Sequence, residues 1–179
     1  MRIISGNHRG KKISAPEGLP VRPTTDMAKE SLFNILNNYF FFDNVRVLDL
    51  FAGTGNISYE FAARGALSVL SVDILHPCVQ FMTKTAEVLG FKNMRVVKND
   101  ALSFLSRCTQ RFNIIFADPP YDWDGYFRIP ELVFGNGLLQ PDGFLVLEHP
   151  GSLDFRELPH FFQHRSYGKV NFSFFAENL

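Results

Sequence analysis

The sequence lacks the features that mark secreted, metal-dependent and membrane-spanning proteins. Its only two cysteines, Cys78 and Cys108, lie in apolar helix-like stretches without a partner motif, which predicts reduced thiols and a reducing cytoplasm. No apolar run is long enough to cross a bilayer, and the basic N-terminus has no hydrophobic secretion segment. His160 and His164 lack the glutamate of a HExxH motif, so no metal site is expected. Gly-x-Ser-x-Gly nucleophile motifs are also missing.

The chain also has no net charge, since 18 basic residues balance 18 acidic ones. The balance is uneven, however, because residues 1–22 hold one acid, Glu17, and the basic residues Arg2, Arg9, Lys11, Lys12 and Arg22. This pattern predicts a basic arm over residues 1–23 on a mildly acidic body over residues 24–179, which suits an anionic partner. An ordinary solvated terminus is the alternative.

The arrangement of apolar segments predicts an α/β fold. Short β-branched and aliphatic runs alternate with amphipathic, helix-length segments, which is typical of an open parallel sheet with helices on both faces. The predicted strands are Val45–Leu50, Ser68–Asp73, Met94–Lys98, Phe112–Ala117 and Phe144–Glu148. The predicted helices are Ile57–Arg64, His76–Leu89, a short one from Ala101, and Tyr126–Phe134. With 179 residues and 46% hydrophobic content, we expect one well-buried core.

The two ends of the chain depart from this alternation. At the start, Thr24 or Thr25 is expected to cap a helix that runs through Leu36, and the Gly- and Pro-rich segment before it predicts a hairpin or an extended arm. At the end, the strand-like runs Gln163–Tyr167 and Lys169–Phe175 flank Gly168 and predict an antiparallel hairpin beside the sheet.

Three predicted strands have an aspartate at or close to their carboxyl end, namely Asp49, Asp73 and Asp100. Ligands of open parallel sheets bind beyond the carboxyl ends of the strands, so these acids are candidate ligand contacts. Asp49 opens a loop in which Gly53 and Gly55 allow close backbone approach to a ligand. Asp73 stands 24 residues later, near the spacing at which an acid accepts ribose hydroxyls, and Asp100 is placed to accept from an adenine amine. Each acid taken alone is equally well explained as a turn or cap residue.

A dinucleotide-dependent oxidoreductase is the competing interpretation of this loop. Its fingerprint requires Gly or Ala where this chain has Ser58. A carboxylate at Asp49 also repels a pyrophosphate but favours the ammonium of a methionine moiety. The loop therefore favours a sulfonium nucleoside, whose charge an aromatic face such as Phe51 can stabilise.

The fourth strand is followed by Asp118-Pro119-Pro120-Tyr121. Prolines restrict this turn and fix the direction of the Pro119 carbonyl. An exocyclic base amine is a poor nucleophile because its lone pair is delocalised. If Asp118 and the Pro119 carbonyl accept its hydrogens, the lone pair is localised, and catalysis is positioning plus electrostatics. Tyr121 is expected to stack on the target base.

Together with the N-terminal segment, this tetrapeptide makes the chain resemble the bacterial family that methylates the 2-amino group of a guanine in small-subunit (16S) ribosomal RNA. The motifs that match, in order, are Arg2-Ile3-Ile4, Arg9-Gly10-Lys11-Lys12, Arg22-Pro23-Thr24-Thr25-Asp26, Glu30 with Leu32-Phe33-Asn34, Phe51 to Gly55, and Asp118 to Tyr121. Asp73 stands where the family more often has Glu, and Met27-Ala28-Lys29 retains one basic residue where the family usually has two.

The resemblance implies a Rossmann-like class I methyltransferase fold with S-adenosylmethionine as the methyl donor. It implies ribosomal RNA as the partner, and we expect a cytoplasmic monomer that acts within a small-subunit particle. Whether naked RNA or the particle is the substrate, and the oligomeric state, are left open by the sequence. The expected cofactor contacts are Asp49, Phe51, Ala52, Gly53, Gly55, Asp73, Ile74, Asp100 and Ala101. The expected RNA contacts are Arg2, Arg9, Lys11, Lys12, Arg22, Thr24 and Thr25.

Other amine methyltransferases with a similar tetrapeptide remain alternatives, as does an RNA-binding assembly factor with a vestigial pocket. DNA amino-methyltransferases usually add a target-recognition region. Release-factor glutamine methyltransferases carry a helical N-terminal domain. Neither addition is expected within these 179 residues. Whether Asp118 removes the amine proton or only orients it is left open by the sequence.

Overall fold

The computed structural model describes residues 1–19 and 24–178. Its sheet has the strand order β3-β2-β1-β4-β5-β7-β6. The strands are β1 Arg46–Leu50, β2 Ser68–Asp73, β3 Met94–Lys98, β4 Phe112–Ala117, β5 Leu139–His149, β6 Phe161–Tyr167 and β7 Val170–Phe175. The helices are α1 Asp26–Leu36, α2 Asn56–Ala63, α3 His76–Leu89, α4 Ala101–Arg107 and α5 Arg128–Gly135, and a short 3₁₀ turn spans Phe42–Asn44.

Strands β1 to β5 are parallel, and β7 runs antiparallel to both β5 and β6. The predicted α/β fold with a C-terminal antiparallel hairpin is therefore confirmed. Successive residues of β1 point to opposite faces, so Val47 packs in one apolar cluster and Leu48 in the other. In the part of the chain that the structure describes, no helix is both long and apolar enough to span a membrane.

Strand β5 is the element whose extent the sequence predicted least well. It was expected to begin at Phe144 and begins at Leu139, which pairs with Phe112 of β4. The register shifts between this pair and the next, Ile114 with Phe144. The intervening turn-like residues, including Asp142 with φ 62°, are accommodated at this irregularity.

Residues 1–13 form a small hairpin that packs on the body of the molecule. Its backbone bonds join Ile3 N to the Lys11 carbonyl at 3.0 Å and Ile13 N to the Met1 carbonyl at 3.0 Å. Ile3 and Ile13 are buried in the apolar cluster that contains α1 and α2. The hairpin is therefore fixed to the core by apolar burial as well as by hydrogen bonds.

A fully buried carboxylate, Glu60 of α2, also holds this hairpin. Its oxygens accept hydrogen bonds from the backbone N–H groups of Ile4 at 2.8 Å and Ser5 at 3.0 Å. The same carboxylate pairs with Arg64 Nε at 2.9 Å and with Lys29 Nζ at 3.5 Å. Burial lowers the pKa of Lys29, while the charge of Glu60 opposes that shift. The cluster thus joins the hairpin, α1 and α2.

We expect Glu60→Gln to lower the free energy of unfolding by about 3–5 kcal/mol, because it leaves buried cations without their anion. The measurement is urea unfolding, with hydrogen exchange at the Ile4 and Ser5 amides reporting release of the hairpin. Glu131→Gln is the matched control, since Glu131 forms an exposed pair with Arg128 and its removal should cost little. Equal losses of stability in the two variants would contradict the anchoring role of Glu60.

Candidate active site

A pocket of about 390 Å³ opens at the carboxyl edge of the sheet. It brings together most of the predicted site residues, namely Thr24, Thr25, Asp49, Phe51, Ala52, Gly53, Asp73, Ile74, Asp118, Pro119, Pro120 and Tyr121. The lining also includes Thr54, Asn56, Ile57, Leu75, Phe116, Glu148 and Val170, which the sequence did not single out. The ends of β1, β2, β4 and β5 all reach this pocket.

The loop after β1 is shaped by Asp73 at the end of β2. Asp73 Oδ2 accepts a hydrogen bond from Gly53 N at 2.7 Å, and Oδ1 accepts one from Leu75 N at 2.8 Å. Burial raises the pKa of Asp73, and these hydrogen bonds oppose the rise. Each carboxylate oxygen keeps a second lone pair, so Asp73 can accept ligand hydroxyls while it holds the loop.

The same loop contains unusual backbone conformations. Phe51 has φ 58°, which is uncommon for a residue with a side chain and is found where surrounding structure enforces it. Gly55 has φ 84° at the N-terminus of α2, and a Cβ there would lie 2.7 Å from Cζ of Tyr59. The left-handed backbone and this close contact with a side chain of α2 both favour glycine at Gly55. It is not among the residues that line the pocket.

Asp49 lies at the floor of the pocket with 1% of its surface exposed. It accepts a hydrogen bond from the Ser58 hydroxyl, which also lies 2.7 Å from the Ser71 hydroxyl. Burial raises the pKa of Asp49 to about 7, and the charges of Asp118 and Asp73 add to the rise. Such a carboxylate favours a cationic ligand group. Ser58, which argued against a dinucleotide loop, is thus also the residue that orients Asp49.

Tyr126 holds the tetrapeptide after β4 in place. Its buried hydroxyl lies 3.0 Å from the carbonyl oxygens of both Pro119 and Pro120 and donates to them. Burial raises the pKa of Tyr126, and Asp118 is the largest of the neighbouring charges that add to the rise, so the hydroxyl stays protonated as a donor. A carbonyl oxygen has two lone pairs, so Pro119 keeps one for a substrate. Sequence reasoning missed Tyr126, because nothing in the pattern of a helix start marks a side chain that turns back onto a loop.

Tyr121 presents its ring at the mouth of the pocket, with 41% of the residue exposed. Its hydroxyl donates to the Lys169 carbonyl at 3.3 Å. Lys169 lies in the turn between β6 and β7, so the C-terminal hairpin orients this ring. A tethered, partly exposed aromatic ring is suited to stacking.

The structure places other predicted contacts outside the pocket lining. Asp100 is the N-cap of α4, where its carboxylate accepts from Ser103 N at 2.8 Å, and Ala101 is the first residue of that helix. Neither is among the lining residues, and their contact with a cofactor stays a prediction. Arg22 lies outside the described residues.

The predicted RNA contacts fall into two groups. Arg9, Lys11 and Lys12 are exposed on the hairpin, and Arg2 pairs with Asp26 at 3.3 Å while remaining half exposed. Thr24 and Thr25 instead line the pocket, and the Thr25 hydroxyl caps α1 by accepting from Ala28 N at 3.2 Å. Within residues 1–19 and 24–178, no group of three or more His, Cys, Asp or Glu side chains is arranged to hold a metal ion.

Comparison with known proteins identifies the family. The family model described as "Conserved hypothetical protein 95" matches residues 1–176. A protein of Bacillus subtilis (strain 168), named "Putative rRNA methyltransferase YlbH", is 37% identical over 161 residues, which are 88% of this chain and 86% of that one. "Ribosomal RNA small subunit methyltransferase D" of Escherichia coli (strain K12) is 33% identical over 148 residues, 83% of this chain and 74% of that one. The chain belongs to this family of methyltransferases.

A solved structure agrees with this assignment. The "Putative methyltransferase yhhF from Escherichia coli" superposes with a TM-score of 0.85 at 31% identity, covering 98% of this chain and 96% of that one. The chain is a methyltransferase, and S-adenosylmethionine is its cofactor. The residues present fit that group, since the pocket offers a buried carboxylate for an ammonium and Asp73 for hydroxyls. Family membership excludes the oxidoreductase interpretation.

Asp49 predicts a distinctive pH dependence of stability. Its pKa in the folded protein, about 7, exceeds its ordinary value of 3.8. The folded state therefore binds the proton more tightly, and the free energy of unfolding should fall as the pH rises from about 4 through about 7. We expect Asp49→Asn to lack this part of the decrease and to exceed the wild type by a few kcal/mol at pH 8. Urea unfolding of both proteins across this pH range is the check, and parallel curves for the two would refute it.

Proposed function

We propose that this enzyme transfers a methyl group from S-adenosylmethionine to the exocyclic 2-amino group of a guanine in small-subunit (16S) ribosomal RNA. The single observation that carries the proposal is the Asp118–Tyr121 turn at the pocket, with the Pro119 carbonyl held by Tyr126 at 3.0 Å. The relative from Escherichia coli is named for small-subunit ribosomal RNA, which supports the substrate class.

The turn supplies what an aromatic amine lacks as a nucleophile. When bound, the cofactor supplies an electrophilic methyl group on its sulfonium. Asp118 and the Pro119 carbonyl accept the two amine hydrogens, so the lone pair of the nitrogen is localised and directed at the methyl group. Positive charge then develops on the nitrogen beside a preorganised carboxylate, and the methylated amine becomes neutral by losing one of its two protons. The ring of Tyr121 stacks on the base and keeps it outside the RNA structure.

The cofactor is held along the ends of β1, β2 and β3. Asp49 pairs with the ammonium of its methionine part, and Asp73 accepts the ribose hydroxyls. Asp100 accepts from the adenine amine with the lone pairs that capping of α4 leaves over. The face of Phe51 stabilises the sulfonium. The remaining proposed contacts come from neighbouring backbone, at Ala52, Gly53, Gly55, Ile74 and Ala101.

RNA is bound by the basic arm of residues 1–23, while residues 24–179 form the methyltransferase domain. The exposed cations Arg2, Arg9, Lys11 and Lys12 neutralise phosphates, and so does Arg22. Thr24 and Thr25, which line the pocket, contact RNA there. The enzyme acts as a cytoplasmic monomer on RNA within a small-subunit particle.

Asp118→Ala should slow methyl transfer by about a hundredfold to a thousandfold, because it removes a preorganised acceptor from the developing charge. Single-turnover transfer to under-methylated small ribosomal subunits is the measurement, since it separates chemistry from product release. Cofactor affinity, measured by calorimetry, should hardly change. A near-normal single-turnover rate would refute the catalytic role. Tight RNA binding by a wild-type enzyme that transfers no methyl group would favour a non-catalytic assembly factor.

Simultaneous replacement of Arg9, Lys11 and Lys12 by Gln should weaken RNA binding and make it less dependent on salt concentration, because fewer counterions are released on binding. The slope of log affinity against log salt concentration should become shallower by up to about 0.9 for each phosphate that the arm no longer neutralises. Replacement of the similarly exposed Lys84 and Lys92, which lie outside the arm, is the matched control. If the triple variant bound RNA like the wild type, the arm would be an ordinary solvated terminus.

A further inference from the structure

We propose that Glu148 is a specificity-determining residue, whose carboxylate accepts the N1–H of the target guanine and so selects guanine over purines with an unprotonated N1. The inference rests on the proposed function, because it concerns the base whose 2-amino group is methylated. It assigns a role to a buried acid of the pocket that the methyl-transfer chemistry above does not use.

Strand pairing places Glu148 beside the catalytic turn. Ala117 at the end of β4 pairs with Leu147 of β5, so Asp118 and Glu148 are the next residues on adjacent parallel strands. Neighbouring strands lie about 4.8 Å apart, and both side chains line the pocket. A base held by Asp118 therefore has the carboxylate of Glu148 within reach of the adjoining atoms of its edge.

The surroundings of Glu148 hold it firmly. Its backbone pairs with Phe172 of β7 on one side, while β4 flanks β5 on the other. The residue is 4% exposed, and the Thr24 hydroxyl lies 3.5 Å from its Oε2 as a donor. A buried acid within a central strand is more precisely positioned than one on a loop. The pocket is thus built with a carboxylate, and not an apolar side chain, next to the reacting edge.

The hydrogen-bonding pattern of purines determines which base such a carboxylate accepts. On guanine, the N1–H donor is adjacent to the 2-amino group. These two neighbouring positions of the base edge therefore carry hydrogen-bond donors and no acceptor. An ionised carboxylate only accepts hydrogen bonds, and those it receives are strengthened by its charge. A purine with a bare N1 instead directs a lone pair at the carboxylate, so that two acceptors face each other without a hydrogen between them. Sites built for a hydrogen bond reject analogues that lack it.

The decisive experiment compares guanine with 2-aminopurine at the mapped target position of an RNA substrate. Both bases carry the 2-amino group, but 2-aminopurine has no N1–H. Inosine, which has N1–H and no 2-amino group, is the blank. We expect the wild type to methylate guanine about tenfold to a hundredfold faster in single turnover. Glu148→Gln should narrow this ratio severalfold or more, because its amide can donate to a bare N1 as well as accept from N1–H.

Glu157→Gln is the matched control, since it makes the same chemical change at an exposed acid outside the pocket lining, and it should keep the wild-type ratio. If Glu148→Gln lost activity on both bases in equal proportion, the inference would be overturned. Such a loss leaves the ratio of the rates on guanine and 2-aminopurine unchanged, as a merely structural defect would. Equal rates of the wild type on guanine and 2-aminopurine would overturn it without any variant. The proposed function fails separately, if the wild type leaves the guanine unmethylated.

Discussion

The active site depends on one constraint, the in-register parallel pairing of β2, β1, β4 and β5. Parallel strands all end at the same edge, so residues that are far apart in sequence, such as Asp49 and Asp118, meet in one pocket. The pairing of Ala117 with Leu147 adds Glu148 to them. A shift of one residue in any of these pairs would turn the functional side chain to the opposite face of the sheet. Burial of both faces of β1 and β4 specifies the register, so core packing and site geometry have a common origin.

The pocket concentrates negative charge at some cost in stability. Burial raises the pKa of both Asp49 and Asp73, which shows that the protein disfavours their charged forms. Acids whose pKa is shifted in this way cluster at functional sites. In the proposed function, a cofactor that carries a sulfonium and an ammonium offsets this cost on binding, and base amines supply donors to the remaining acceptors. The arm has the opposite charge, and Glu60 ties it to the same helix, α2, that begins at the pocket.

Much of the fold and part of the candidate site can be predicted from the sequence, because they rest on local patterns. Alternating apolar segments specify the parallel sheet, and a turn as restricted as Asp118 to Tyr121 is recognisable by itself. Tyr126, Glu60 and Glu148 act through contacts between elements, which no local pattern encodes. Tyr126 reaches back onto a loop, Glu60 binds backbone donors 55 and 56 residues away, and Glu148 depends on strand register. Asp100 illustrates the reverse. The sequence shows its local role as a helix cap, but not that it is missing from the residues that line the pocket.

The proposed reaction of this enzyme is methylation of the 2-amino group of a guanine in small-subunit ribosomal RNA. The most direct test incubates the enzyme and a methyl-labelled cofactor with small ribosomal subunits from cells that lack the activity, and with total RNA and DNA in parallel. Digestion to nucleosides, followed by mass spectrometry, then identifies the labelled product. We expect the label to appear as N2-methylguanosine from 16S RNA alone. Label in a methylated adenine or cytosine, or in DNA, would contradict it.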